Sequence, residues 1–583
     1  MPLKHIKESI KKYLIYKKEI VDRGNKKKKR RKFIDIKRYE IALYQEICNE
    51  LSSSKLSVID SINYRNLDDE LIPKEVWEKE KKAILASVSD CIDLTPINKL
   101  LSIYKKELEN LYRVVNKRIK SKENKDIKID KDNLTWKIPY KGQQEKINNP
   151  FYEKLEVCSI VDVIKLVEEK VSFLKSFTHI LNTSSKSKAS IGSLSVYLVS
   201  QGSGIGKKQM AESSDISIDD LNGVERKFIR IKTLDKACNE IINEIAKLRI
   251  FKDYNLSDYG IHASLDGQKI ETRYQTIMAR YSKKYFGTKK GVVSYSLIAN
   301  HLPVVTKIIG ANEHESHYVL DLVYNNKSDL DIKAISGDMH SINRVNFFFL
   351  RMFNYDFMPR FTKFNIRAEN NLVGFKKLSS YSKYLIKPIK KIKIDNIIKE
   401  WDNVLRILAS LALKETTQSV IISKLSSCRK INTTLKALIE FNNIIMSVYM
   451  LKYIDDSKIR QSVYRALNRG ESFHQIRSAI LKISGRKLQG KKDLELEVSN
   501  QCNRLLACCI IYYNTAILSE LLEIAEQLGN KKLCKGIKRL SPVAWQHINM
   551  IGKFEFFVKK ESLNIGEIAN DLMENSEDIL VAA

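Results

Sequence analysis

Apolar residues recur at helical spacing most clearly between residues 150 and 183. Over "DVIKLVEEKVSFLKSFTHIL" they place Val163, Val167, Val171, Leu174, Phe177 and Leu181 on one stripe. His179 lies beside that stripe and reads as a core histidine. Residues 1 to about 115 read as helical and polar, and residues 118–149 as a charged, weakly periodic linker or excursion. The pattern changes at about residue 256. "YGIHASLDGQKI" (259–270) predicts a short strand ending in Leu265 and Asp266. "GVVSYSLIANHL" (291–302) and "PVVTKIIGA" (303–311) are β-branched runs separated only by Leu302 and Pro303, which predicts adjacent antiparallel strands. A helix over 314–326, a strand over 331–337 ending in Gly337 and Asp338, a helix from about 341 and a short strand, "YDFMPRF", complete an α/β pattern. From about 366 to 530 the reading returns to helix, with "VLRILASLALKE" and "LKALIEFNNIIMSVYMLKYI" strongly amphipathic.

Length and composition refine this outline. A chain of 583 residues is too long for one hydrophobic core, so two to four domains are the general expectation. Few prolines and glycines favour helix. Lys and Arg number 101 against 69 Asp and Glu, a net charge of +32. That excess opposes compaction unless a polyanion offsets it, and nucleic acid is the first candidate. Such binding releases counterions and weakens steeply with salt. "NKKKKRRK" (25–32) is either a solvated basic turn or a phosphate contact. An anionic membrane is the other possible partner. The apolar stretch "LLACCIIYY" (505–513) falls far short of the roughly 20 residues a spanning helix needs. The N-terminus has no apolar signal core, so the chain reads as cytosolic. Nine scattered cysteines form no CxxC pair and suggest neither a zinc site nor a disulfide framework.

Two segments carry candidate chemistry. "QGSGIGKK" (201–208) imitates a phosphate loop, but Gly202 stands one residue too close and Lys208 replaces the hydroxyl; it reads as a loop. Asp266 and Asp338 each follow a predicted strand, where α/β sheets commonly build sites. Such an Asp is ordinarily a turn former or a helix cap, and Asp338 fits that role too. If the strands are neighbours, the two carboxylates repel unless a cation lies between them. Mg²⁺ is the expected ion. Two ions about 3.5–4 Å apart would activate the attacking oxygen and stabilise the leaving one in displacement at phosphorus.

Five ordered blocks sharpen this reading: "LDGQK" (265–269), "RYSKKYFGTKKGV" (280–292), "SGDMHSIN" (336–343), "LNRGESFH" (467–474) and "LSPVAWQHINMIGKFEF" (540–556). Together they resemble the C-terminal part of the replicative, cointegrate-forming transposases of the Tn-three family. Residues 152–217 resemble the segment those proteins carry just upstream. The likeness covers residues 150 to 557 well and the first 150 more loosely.

The resemblance implies a mainly α protein with an α/β ribonuclease-H-like catalytic core, a mixed five-stranded sheet interrupted by a helical insertion. It implies an Asp-Asp-Glu site of Asp266, Asp338 and Glu471, at intervals of 338 − 266 = 72 and 471 − 338 = 133 residues. Those acids would hold two Mg²⁺ ions, with Mn²⁺ as a substitute. Glu495 and Glu497 in "DLELEV" are rival third acids that match no block. Lys284, Lys289, Lys290, Arg465, Arg469 and His474 are expected to contact DNA near the scissile phosphate, with ordinary surface charge as the alternative for each. Tyr285 and Phe286 read as core residues, with base stacking as the alternative. Trp545 and His547 read as structural.

The implied function is metal-dependent cleavage and strand transfer at transposon ends, by a homo-oligomer on bacterial DNA in the cytoplasm. The alternative is an inactive remnant that only binds DNA. Family members extend further at the N-terminus, so recognition of specific transposon ends is expected to be missing. The expected domains are 1–149, 150–255, 256–365, 366–460 and 461–583.

Overall fold

The computed structural model describes residues 15–21, 28–52, 56–58, 61, 66–130, 135–138, 149–181, 183, 187–256, 260–427, 433–550 and 563–582. The chain divides into two compact units: Met1–Leu94 with Ile394–Glu440, and Thr95–Lys393 with Phe441–Ala583.

In the smaller unit, Ile72, Trp77 and Ala409 form an apolar cluster. Arg406 is buried in it and donates to Asp68 Oδ1 at 2.8 Å, while Trp77 Nε1 donates to Asp402 at 3.1 Å. The N-terminal stretch is not wholly helical, because Ile15–Val21 and Lys28–Ile34 form an antiparallel pair. Lys28–Lys32 of the basic run lie in that pair; residues 25–27 and the side chains of 28–32 lie outside the described residues.

The larger unit is built on a seven-stranded sheet. Its main strands are β1 (Ile261–Thr272), β2 (Lys290–Ala299), β3 (Leu302–Gly310), β4 (Ile332–Gly337) and β5 (Asp356–Phe357). β1–β2 and β2–β3 are antiparallel, whereas β4 runs parallel to β1 and β5 parallel to β4. The order across the sheet is therefore β3-β2-β1-β4-β5. Two-residue strands, Arg280–Tyr281 on β2 and Lys487–Leu488 on β1, bring the total to seven; strands that short carry no readable period. The β2–β3 turn is Asn300–His301, both at positive φ (45° and 73°), and not Leu302–Pro303, which belong to β3. Positive φ at both central residues matches the twist of a tight hairpin.

Helices α1 (Ile191–Gly202), α2 (Ser457–Ile480) and α3 (Asp493–Gln527) complete the frame around the site. α3 is long and apolar enough to cross a membrane, with a window of mean hydropathy 1.7, but 94% of that window is buried inside the protein. It is a core helix. Its buried polar groups are met by the sheet: Arg504 donates to Pro303 O at 2.8 Å, and Gln501 donates to Thr306 O at 2.8 Å. Gly202 ends α1 where a Cβ would lie 2.6 Å from Leu506 and 2.9 Å from the Cys502 carbonyl. The glycine-rich segment thus serves close helix packing, and Lys207 pairs with Glu225.

Three other expectations need correction. The 150–183 stripe is helical only over Ile160–Val171; Ser172 turns left-handed at φ 56°, and Leu181 is 57% exposed. The 118–149 excursion carries a small hairpin, Lys128–Asp130 with Thr135–Lys137, that buries Trp136 against Phe364. The helix expected to be amphipathic over 435–454 is buried on nearly every side in its second half. There Asn442 accepts from the Phe348 N–H and Ser447 Oγ from the Val373 N–H, so polar residues sit inside with partners.

Candidate active site

β4 stops pairing with β1 at Gly337↔Leu265, whereas β2 continues along β1 from Asp266↔Ser296 to Glu271↔Gly291. Lys487–Leu488 take up β1 only at Glu271. Among the described residues, no strand pairs with 266–270 on that side, which leaves a notch. Asp266 lies in mid-strand at this notch, not at a strand end as the pattern suggested, because pairing with β2 runs on through the polar residues beyond it. Asp338 is the first residue after β4, beside Asp266 in register. Its Oδ1 accepts from the His340 N–H at 2.8 Å, capping a one-turn helix, Met339–Ser341. The cap fixes the carboxylate's orientation.

α2 closes the notch. A Cβ at Gly470 would lie 3.4 Å from Ser264 Oγ and 3.5 Å from the Asp266 Cβ, so the bare backbone of α2 rests on β1 at this point. Gln268 ties the helix down by donating to His474 O at 3.0 Å and Ser478 Oγ at 2.8 Å. Glu471 and His474, one turn apart, are thereby delivered to Asp266. His474 Nδ1 lies 3.7 Å from Asp266 Oδ2 and 4.0 Å from Glu471 Oε2. One ligand atom from each of Asp266, Glu471 and His474 falls within 4.8 Å of the others.

Electrostatics mark Asp266 as the centre. Burial, then the charges of Glu471, Asp338 and Glu315, push its carboxyl up to about 7. Glu315 comes from below: it is buried, pairs with Lys269 Nζ at 2.6 Å, and sits where a Cβ on Gly267 would be 2.4 Å from its Oε1. Burial, then the cations Arg477 and Lys269, push the His474 imidazole down to about 3, so the ring is neutral. Among the described residues, Ser264 Oγ, Ser296 Oγ, Gln268 Oε1, Tyr295 OH and His474 Nε2 are buried here without a partner. Carboxylates crowded enough that one of them keeps its proton suit a hard divalent cation, whose charge would relieve that crowding.

The Tn3 transposase DDE domain matches residues 162–554, a span that contains Asp266, Asp338 and Glu471. The chain belongs to that family. The transposase for transposon Tn1546 of Enterococcus faecium is 26% identical over 533 residues, which cover 90% of this chain and 52% of that protein. The transposase for transposon Tn2501 of Escherichia coli is 27% identical over 536 residues, covering 89% of this chain and 52% of the relative. The transposase for transposon gamma-delta of Escherichia coli is 21% identical over 561 residues, with coverages of 92% and 54%. The chain thus spans about half the length of the curated relatives it matches.

The cations of this DDE domain divide by geometry. Lys284 and Arg465 are exposed. Lys289, also exposed, pairs with Glu271 at 3.2 Å, and Lys290 donates to Gln275 at 3.1 Å. Arg469 faces inward instead: it is 2% exposed and donates to Tyr254 O at 2.8 Å and Asn300 Oδ1 at 3.3 Å. His474 lies among the acids, its side chain largely buried.

The rival acids are engaged elsewhere. Glu495 accepts from the Lys491 N–H, and Glu497 accepts from Ile308 N–H and from Gln501. His547 bonds Asn514 at 2.9 Å and stacks on Tyr152. Sequence reading missed Glu315 and Lys269 in any site role. Lys269 stands inside the "LDGQK" block, but nothing local reveals that Glu315 is buried beneath it.

Proposed function

We propose that the chain is a metal-dependent DNA transposase, with a ribonuclease-H-like core whose catalytic acids are Asp266, Asp338 and Glu471. The β3-β2-β1-β4-β5 order supports that fold. One observation carries the assignment: Gly470 sets α2 on β1 so that Glu471, 471 − 266 = 205 residues away in sequence, stands over Asp266. Asp266, Asp338 and Glu471 would hold Mg²⁺ (two ions, with Mn²⁺ able to substitute), and His474 is near enough to join them. A divalent cation there supplies Lewis-acid stabilisation to the charged oxygens of a phosphodiester.

The residues around the acids position them. The His340 N–H fixes Asp338, Gln268 fixes α2, and the Glu315–Lys269 pair fixes the floor beneath Asp266. Lys284, Lys289, Lys290 and Arg465 offer phosphate contacts. The substrates are transposon 3′ ends and target DNA, cut and joined by a homo-oligomer on paired ends in the bacterial cytoplasm, at the nucleoid. Residues 366–460 form the insertion that separates the second acid from the third.

The test is joining of a pre-cleaved transposon end to plasmid DNA in Mg²⁺. Asp266→Ala, Asp338→Ala and Glu471→Ala should each abolish joining yet still bind DNA, while Glu497→Ala should not abolish it. Joining by any of the three acid variants at the wild-type rate would remove that residue from the assignment. Binding without joining by the wild-type chain would favour the remnant reading.

A further inference from the structure

Between β1 and β2 the chain makes no tight turn; it runs outward over residues 273–289. The excursion is anchored at several places: Ala279 and Met278 pack on the cluster of Ile270, Val292, Ile308 and Leu488, the Met278 N–H donates to Asp493 Oδ1 at 3.0 Å, and the Arg273 N–H donates to Leu488 O at 3.0 Å. Gly291 leaves room for Phe286, whose Cζ would lie 2.4 Å from a Cβ there, and Arg280–Tyr281 pair with Lys290–Gly291 beside it. Beyond these anchors the excursion presents rings to solvent. Tyr274 is 39% exposed, Tyr281 56% and Tyr285 43%. Cations accompany two of them: Lys284 Nζ lies 4.8 Å and Lys269 Nζ 5.4 Å from the Tyr285 ring, and Lys491 Nζ lies 5.7 Å from that of Tyr274. Lys269 is the residue paired with Glu315 beneath Asp266, so this aromatic surface begins at the edge of the acidic cluster. Among the described residues, Arg273, Lys283 and Lys284 have no carboxylate partner.

We propose that residues 273–289 form a platform for unpaired DNA beside the acidic cluster, with bases stacking on Tyr274, Tyr281 and Tyr285 and phosphates following Lys283, Lys284 and Lys491. The inference rests on the reading of this chain as acting on DNA ends. Exposed rings flanked by cations match the two faces of a single strand, a π surface and a polyanion, and such stacking tolerates any sequence. In a duplex the base faces are covered by their neighbours, so the rings select an opened end. A second copy of this chain is disfavoured as occupant, because it would bring further cations to a surface already rich in them within a chain of net charge +32.

The test uses the full chain and two labelled DNAs of one sequence, a blunt duplex and a duplex with a single-stranded tail carrying 2-aminopurine. Wild type should bind the tailed DNA more tightly and change its 2-aminopurine fluorescence. Tyr281→Ser with Tyr285→Ser should lower affinity for the tailed DNA at least about tenfold and leave the duplex affinity unchanged. Tyr285→Phe alone should keep the preference, since stacking needs the ring and not the hydroxyl. Lys283→Gln with Lys284→Gln should weaken both DNAs and flatten the salt dependence. A double Ser variant that melts like wild type and keeps the preference overturns the platform, as does one that changes only sedimentation. Equal wild-type affinity for both DNAs overturns the platform while leaving the transposase reading standing. No wild-type binding to either DNA overturns both.

Discussion

The carboxyl of Asp266 holds its proton up to about pH 7, because burial and three neighbouring carboxylates oppose its charge. An unfolded chain releases that proton near pH 4. The folded state therefore binds the extra proton between about pH 4 and 7, and stability falls as pH climbs through that window. The displacement corresponds to roughly 4 kcal/mol at most. Asp266→Asn should melt several degrees above wild type at pH 8 and level with it at pH 4. Saturating Mg²⁺ should narrow the pH 8 gap by stabilising wild type alone. Burial holds His474 and His262 far below the usual imidazole range, which makes stability rise with pH below about 6.5. Both residues are common to the two proteins, so their effect cancels in the difference. Thermal melts of the pair across pH, with and without metal, check the sign. A variant less stable than wild type at pH 8 without metal would contradict the crowding of negative charge at this carboxyl.

Helix contacts in the larger unit are set by glycines whose missing side chains can be located. Gly202→Ala would press its methyl into Leu506 and the Cys502 carbonyl, and should lose about 1–3 kcal/mol in chemical denaturation. Gly223→Ala, in the helix Ile218–Phe228 with nothing within 4 Å, should gain up to about 1 kcal/mol. Elements of this kind were unevenly legible in the sequence. β2, β3 and β4 announce themselves as β-branched or alternating runs that end near their observed limits. β1 looks finished at Asp266 because the residues after it are polar, yet Gln268, Lys269 and Glu271 go on pairing with β2. The helix through Asn442 and Ser447 reads as amphipathic because polar residues count as solvent-facing, whereas here backbone N–H groups meet them inside. The three acids were legible only through ordered motifs. No period says which helix will cross a sheet, and nothing near Arg469 tells that it turns inward while Glu471, two residues on, does not.

Over the whole molecule, 101 cationic side chains exceed 69 carboxylates, and the excess is a long-range property that no single contact accounts for. If six to ten phosphates are engaged, affinity for duplex DNA should fall about 10³-fold or more between 50 and 200 mM salt. Titrations at several salt concentrations give the slope directly; a flat response would mean that the surplus charge does not face nucleic acid. The layout of the chain also bears on its synthesis. The five main strands of the sheet, with Asp266 and Asp338, are complete by residue 357, while the helix that fills the notch beside them begins only at Ser457 and the strand Lys487–Leu488 joins β1 later still. Domains generally fold as units from the N-terminus while the ribosome is still working. A half-made chain therefore carries the main strands and two of the acids for the time it takes to translate another hundred residues, with the notch beside them still unfilled. Glu471 can reach the other two acids only once that helix has been made.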